Sequence, residues 1–283
     1  MASHLYSFEK GPKLRAIPPD LPGEGQPLNK MQGHWVLARA GKRVLRPGGI
    51  ELTRRMLNAL DISPQDRVVE FAPGLGRTAQ MVLQKHPLAY CGVERDAAAV
   101  GHLRQRFAGC GTQFVLGRAE ESGLSSACAS IVFGEALLSM QNPQRKSQIV
   151  AEACRLLASG GRFAIHELCL PDDIPDRVRH EIQLAMSKDI HVGVQPLSTK
   201  EWIALLDQHG FVVTWCGTAP MHLLEPRRVL QDEGVFGSLR IAFRAATNTE
   251  LGSRILDMRR LFAKYRDYLV AVSLIAERAP TSK

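Results

Sequence analysis

Nowhere does this 283-residue chain string together the roughly 18 apolar residues that a membrane-spanning helix needs. The opening residues, Met1 to Ser7, lack the apolar run of a secretory leader, so a cytoplasmic setting is expected. Cysteine is sparse, with six residues at 91, 110, 128, 154, 169 and 216 and not one C-x-x-C pair. That spacing supports no zinc framework, so no metal is expected, and the thiols read as reduced core residues. Aromatic residues make up 6% of the chain and form no base-stacking platform beside its basic residues. No internal repeat or low-complexity tract interrupts the sequence.

What is present is a basic, moderately hydrophobic chain. Lys and Arg number 36 against 28 acids, a net charge of +8, and residues 1–50 hold eight basic residues against three acids. Without an aromatic platform, this balance speaks against nucleic acid. It reads as a solvated surface or as attraction for an acidic small molecule.

The stretch from Asp66 to Asp96 organises the rest. Val68 and Val69 begin a short apolar run that closes on Glu70. Phe71-Ala72-Pro73-Gly74-Leu75-Gly76 then makes a turn too rich in Gly and Pro to extend a strand. Ala79, Val82 and Leu83 have helical spacing after Arg77, and Leu88 to Val93 forms a second apolar run closed by Glu94. This is half of a βαβ unit with a carboxylate at the end of each strand, where open α/β sheets bind ligands.

Two cofactors suit that layout. Gly74-x-Gly76-x-x-Ala79 with Glu94 further on satisfies a dinucleotide fingerprint, with a pyrophosphate on the helix N-terminus and Glu94 on a ribose. Glu70 opposes this reading, because it sets a negative charge beside two phosphates. S-adenosylmethionine reverses the sign: it brings an ammonium and a sulfonium and no phosphate, while Glu94 still serves the ribose hydroxyls.

Glu70-x-Ala72-x-Gly74-x-Gly76 resembles motif I of the class I S-adenosylmethionine-dependent methyltransferases, with Ala72 where the first glycine usually stands. Gly117-Arg118-Ala119-Glu120 resembles the loop after the third strand that contacts adenine. Leu156 to Arg162 resembles the helix, Gly-Gly turn and strand of the fifth unit. The resemblance spans about residues 48–216 and returns at the last strand. It implies an α/β, doubly wound Rossmann-like sheet of seven strands in the order 3-2-1-4-5-7-6, the seventh antiparallel. For the donor it implies contacts from Glu70, Ala72, Pro73, Gly74, Gly76, Glu94, Arg95, Ala119, Glu120 and Gly134.

Along the chain, residues 1–28 carry five prolines and are expected to form a flexible arm. Residues 29–62 form a helical cap, with one helix from Asn29 to Leu45 and another from Glu51 to Leu60. Residues 63–216 and 268–279 make the core, and Ser198 to Glu201 has the form of a capping box. Residues 217–267 exceed what the fold needs between its last two strands. Their apolar content predicts a helical lid that, with residues 29–46 and 186–196, roofs a mostly apolar chamber. His34 and Trp35 are placed to line that chamber.

Methyl transfer needs alignment, exclusion of water and, for a weak nucleophile, a base. Candidates are Glu135 after the fourth strand, His166 at the end of the fifth, and His191 in a Gly-containing loop. The alternative for Glu135 is a salt bridge to the basic N-terminal helices. The expected activity is methyl transfer from S-adenosylmethionine to a small-molecule acceptor, and a homo-oligomer is compatible with the sequence. An NAD-dependent oxidoreductase on the same glycine turn and a non-catalytic donor-binding module stand as alternatives.

Overall fold

The computed structural model describes residues 27–190 and 193–279. The expected arm up to residue 26 and His191 lie outside the described residues. Among the described residues eight strands form one sheet: β1 (Arg67–Phe71), β2 (Ala89–Glu94), β3 (Thr112–Leu116), β4 (Ala129–Glu135), β5 (Leu157–Leu170), β6 (Leu197–Ser198), β7 (Phe211–Pro220) and β8 (Val270–Arg278). The main path runs β3-β2-β1-β4-β5-β8-β7. Strand β8 is antiparallel to both neighbours, so the seven long strands follow the expected order. The two-residue β6, which the sequence did not suggest, pairs with Cys169 and Leu170 at the end of β5.

Alternating side chains divide the core between the two faces of the sheet. Val69, Phe71 and Val93 pack under α5 (Pro143–Leu156) and α7 (Thr199–Asp207). Val68, Tyr90 and Phe133 pack under α2 (Gly49–Ala59), α3 (Arg77–Leu83) and α4 (Ala97–Arg106). Local signals set several boundaries as read: Asp96 accepts the N–H of Ala99 to cap α4, and Ser198 and Glu201 close a capping box on α7.

A second core grows where β5 ends at Leu168 and Leu170. There α1 (Gly33–Ala40), α6 (Asp176–Ile190) and α9 (Thr249–Lys264) bury Val36, Leu37, Ile182, Met186, Met258 and Leu261 together. Helix α1 is much shorter than the expected Asn29–Leu45. Gly41 takes a left-handed φ of 103° and returns its N–H to Ala38, which ends the helix.

The insertion forms α8 (Pro226–Thr247), kinked at Gly234 with φ 73° and ψ 177°, followed by α9. Met221, Leu223 and Leu224 are buried, as their character requires, whereas Phe236, Leu239 and Phe243 face outward. Two buried acids tie α8 to the cap. Asp232 accepts from Lys42 Nζ at 3.1 Å and from the N–H of Ile50 at 2.9 Å. Glu233 accepts from the N–H groups of Arg43 and Val44 at 2.7 and 2.8 Å. Gly49 is required at this contact, since a Cβ there would stand 2.5 Å from an Asp232 oxygen.

Candidate active site

At the carboxyl ends of β1 to β4 lies a cavity of about 1130 Å3. Its floor is the Ala72–Leu75 turn, Glu94 to Ala97 after β2, Gly117 to Glu120 after β3 and Glu135 to Leu137 after β4; its other wall comes from Lys30 to Arg46 and Gly193. No described residue of 217–267 reaches it. The insertion braces α1 and α2 from outside instead of roofing the chamber. Nor is the wall mostly apolar: seven Lys or Arg residues and five carboxylates line it.

Glu70, the last residue but one of β1, is almost wholly buried, and its Oε2 accepts the Tyr90 hydroxyl at 2.5 Å. Burial pushes its carboxyl up to about 8 against that hydrogen bond, with the Glu135 charge adding to the rise. A cation entering beside it would offset the cost of ionising it. Glu94 ends β2, where its two oxygens each accept one backbone N–H, from Gly74 at 3.1 Å and Asp96 at 3.0 Å. Burial raises its carboxyl, while those amides oppose the rise. A carboxylate has about four acceptor sites, so Glu94 keeps acceptor capacity for a ligand beyond these amides.

The turn between these carboxylates divides its work. Gly74, at φ 56°, has no atom within 4 Å of where a Cβ would stand, so its backbone is open to the cavity beside Pro73. Gly76 does not line the cavity; a Cβ there would meet the Phe107 ring at 2.6 Å, so its smallness serves the packing of α3 on α4. Ala72 adopts a left-handed φ of 53°. That is a conformation glycine adopts freely and alanine holds at a steric cost of about 1–2 kcal/mol.

Arg95 and Ala119 line the floor, as does Glu120, which is held by Arg145 at 3.3 Å. Gly134 lies beneath the surface at the end of β4 and is not part of the lining.

Glu135 faces the cavity but is fully engaged. Its Oε1 accepts from Thr53 at 2.6 Å and His166 at 2.8 Å and pairs with Arg46 at 3.1 Å, and its Oε2 accepts from Thr78 at 2.5 Å. Burial alone would raise it, yet the Arg46 guanidinium and these hydrogen bonds hold its carboxyl down at about 2. A carboxylate so stabilised is a poor base near neutrality; its ion-pair partner, Arg46, comes from the loop between α1 and α2 and not from the N-terminal helices themselves. His166 is completely buried behind Glu135 and off the cavity, its Nε2 2.6 Å from the carbonyl of Pro47. Glu167 turns to the opposite face and accepts the N–H groups of Leu137, Leu138 and Ser139, shaping the loop after β4.

Two cavity residues keep shielded polar atoms without a protein partner, His34 Nδ1 and Arg46 Nη2. Burial and the nearby Arg95 push His34 down to about 4, so it is neutral at ordinary pH. Arg46 and Tyr90 were not singled out from the sequence. Neither sits in a motif, and only the fold brings them to the glycine turn. Among the described residues no group of three His, Cys, Asp or Glu side chains is placed to hold a metal.

Residues 68–161 match a family described as "Methyltransferase domain". An uncharacterized protein of Haemophilus influenzae is 29% identical over 241 residues, covering 83% of this chain and 92% of the relative. Ribosomal RNA small subunit methyltransferase A of Prochlorococcus marinus is 36% identical over 77 residues, 27% of either chain. Among solved structures, a Haemonchus contortus phosphoethanolamine N-methyltransferase, crystallised with phosphomonomethylethanolamine and S-adenosylhomocysteine, superposes with a TM-score of 0.67 at 12% identity. That likeness covers 91% of this chain and 59% of that one.

Proposed function

We propose that this chain is a class I S-adenosylmethionine-dependent methyltransferase, a reading supported by the match of residues 68–161 to the methyltransferase domain, and that it transfers a methyl group to a small, acidic acceptor in the cytoplasm. The observation that carries the reading is Glu70, a carboxylate buried at the mouth of the glycine turn and poised to ionise beside a cation. A cation beside it favours the ionised form, so the ammonium and sulfonium of the methyl donor would draw out a charge that a pyrophosphate would suppress.

The cavity residues fit that donor. Glu94 has acceptor capacity for two ribose hydroxyls, with Ala119, Glu120 and Arg95 placed for the adenosine. Arg46, with its unpartnered Nη2, suits the carboxylate of the methionine portion. Gly74 leaves room for close backbone approach. When bound, the donor supplies a methyl carbon already activated by the sulfonium, so this chain's task is alignment and exclusion of water. In this scheme Glu135 and His166 are positioning residues that hold Arg46, Thr53 and Thr78 around the turn. His34 offers a neutral imidazole nitrogen to the ligand. The excess of cations on the wall supports an acceptor with a carboxylate or phosphate. Residues 217–267 act as a brace that keeps the cap in place.

Melting curves with S-adenosylhomocysteine and with NADH provide the test. Stabilisation by S-adenosylhomocysteine alone is expected, followed by label transfer from methyl-labelled donor to small carboxylates or phosphates. Stabilisation by NADH alone would restore the oxidoreductase reading. Donor binding without transfer to any acceptor in the panel would favour a non-catalytic module.

A further inference from the structure

A second cavity, of about 320 Å3, opens between α2 and α3, and Arg77 belongs to its wall as well as to that of the large cavity. Arg54 of α2 and Lys85, just beyond α3, bring two more cations to it. Asn58, Gln80 and Gln84 add three carboxamides, and no carboxylate of the described residues lines it. Each helix offers these side chains from one face. Arg54 and Asn58 are four apart on α2, and Arg77, Gln80 and Gln84 follow at spacings of three and four along α3 and its C-cap.

The three cations are uncompensated. The side chains of Arg54, Arg77 and Lys85 make no hydrogen bond and no ion pair with any described residue. Their neighbours are engaged: Arg55 donates to the Thr218 carbonyl at 3.0 Å, and Arg106 to the Leu75 carbonyl at 2.6 Å. Arg77 is half-buried, and burial and the charge of Arg43, with Arg46 and Arg54 adding, push its guanidinium down against the pull of Glu233. Like charges gathered without a counter-ion repel, and an anion among them relieves that repulsion. Gln80 is already turned to assist. Its oxygen accepts from Arg106 at 2.8 Å, so its NH2 group keeps both N–H donors.

Chemistry and size select the ligand. Forked guanidinium and carboxamide N–H groups match the oxygens of a phosphate. The volume lies near the lower end of small-molecule pockets, about 300–1,000 Å3, which suits one phosphate on a short carbon skeleton. Leu57 and Met81 supply apolar wall for that skeleton.

We propose that the cavity between α2 and α3 binds a small phosphate monoester, with its phosphate among Arg54, Arg77 and Lys85 and its carbon portion against Leu57 and Met81. The site shares Arg77 with the large cavity but does not rest on the methyl-transfer reading.

The test is calorimetric titration of the full chain with glycerol 3-phosphate and with malonate, a dicarboxylate of similar size. Saturable one-to-one binding of the phosphate, tighter than that of malonate, is expected. Neither Arg54 nor Lys85 lines the large cavity, so R54Q/K85Q should keep the wild-type response to S-adenosylhomocysteine and the wild-type melting temperature. It should lose about tenfold or more in affinity for glycerol 3-phosphate, because charge-assisted hydrogen bonds are removed. Gln80→Glu supplies the missing counter-charge from within the protein. It should raise the melting temperature without ligand and abolish phosphate binding. No saturable binding by the wild type, malonate bound as tightly as the phosphate, or full affinity in either variant would each overturn the proposal. So would a single-stranded RNA that binds more tightly than glycerol 3-phosphate and is lost in R54Q/K85Q, since the groove would then serve a polymer.

Discussion

The carboxylate of Asp232 accepts the backbone N–H of Ile50 at 2.9 Å and so caps helix α2 from the far end of the chain. Helix α2 has Gly48 at its own N-cap and no local side chain to serve there, and Asp232 takes that place. The same carboxylate holds the buried ammonium of Lys42 at 3.1 Å. One acid of the insertion thereby fixes both ends of the loop that carries Arg46 and Pro47 to the cavity.

Removing one partner of this buried pair should be costly. Lys42→Met leaves Asp232 buried with only the Ile50 amide, and a loss of about 3–5 kcal/mol is expected by denaturant unfolding. Exchanging both partners for apolar residues should recover part of it. A loss under about 1 kcal/mol for the single variant would mean that the loop is not held by this pair.

Glu94→Ala should weaken S-adenosylhomocysteine by about 1.5–3 kcal/mol, the range for hydrogen bonds to a charged group. Its oxygens also receive the amides of Gly74 and Asp96, so a modest loss of stability should accompany it. Calorimetry showing unchanged affinity would remove Glu94 from the ribose site.

Glu70 should make both stability and donor affinity depend on pH. Its folded carboxyl is raised from 4.5 to about 8, so between those values the folded protein binds more protons than the unfolded chain. Stability from this group is therefore fully present below pH 4.5 and falls as pH rises toward 8. Glu70→Gln should flatten that fall. A cationic ligand favours the ionised form, so donor binding should release a proton at neutral pH and tighten as pH rises toward 8. Titrations in two buffers of different ionisation enthalpy measure the proton count; zero release in wild type would contradict the role given to Glu70.

Ala72→Gly should stabilise the protein. The left-handed backbone costs alanine about 1–2 kcal/mol, whereas glycine gives back about 0.5–1 kcal/mol in unfolded-chain entropy. A net gain of about 0–1.5 kcal/mol in unfolding free energy is expected by denaturant titration. A destabilised variant would show that the Ala72 methyl makes contacts worth more than the strain.

The sequence alone determined the parts whose physics is local. Alternating apolar residues and the glycine turn between Glu70 and Glu94 were legible because strand period, turn chemistry and helix capping act over a few residues. The same holds for Asp96 and Ser198 as caps. Tertiary structure decided what depends on partners distant in the chain. Glu135 was visible as a strand-end carboxylate. Its saturation by Arg46, Thr53, Thr78 and His166 was not, because those residues come from four separate segments that meet only after the sheet closes. The apolar content of 217–267 showed that it folds but not where it lies. That was settled by two buried acids, Asp232 and Glu233, which look like surface charges in the sequence and are held inside because Lys42 and the amides of the cap satisfy them.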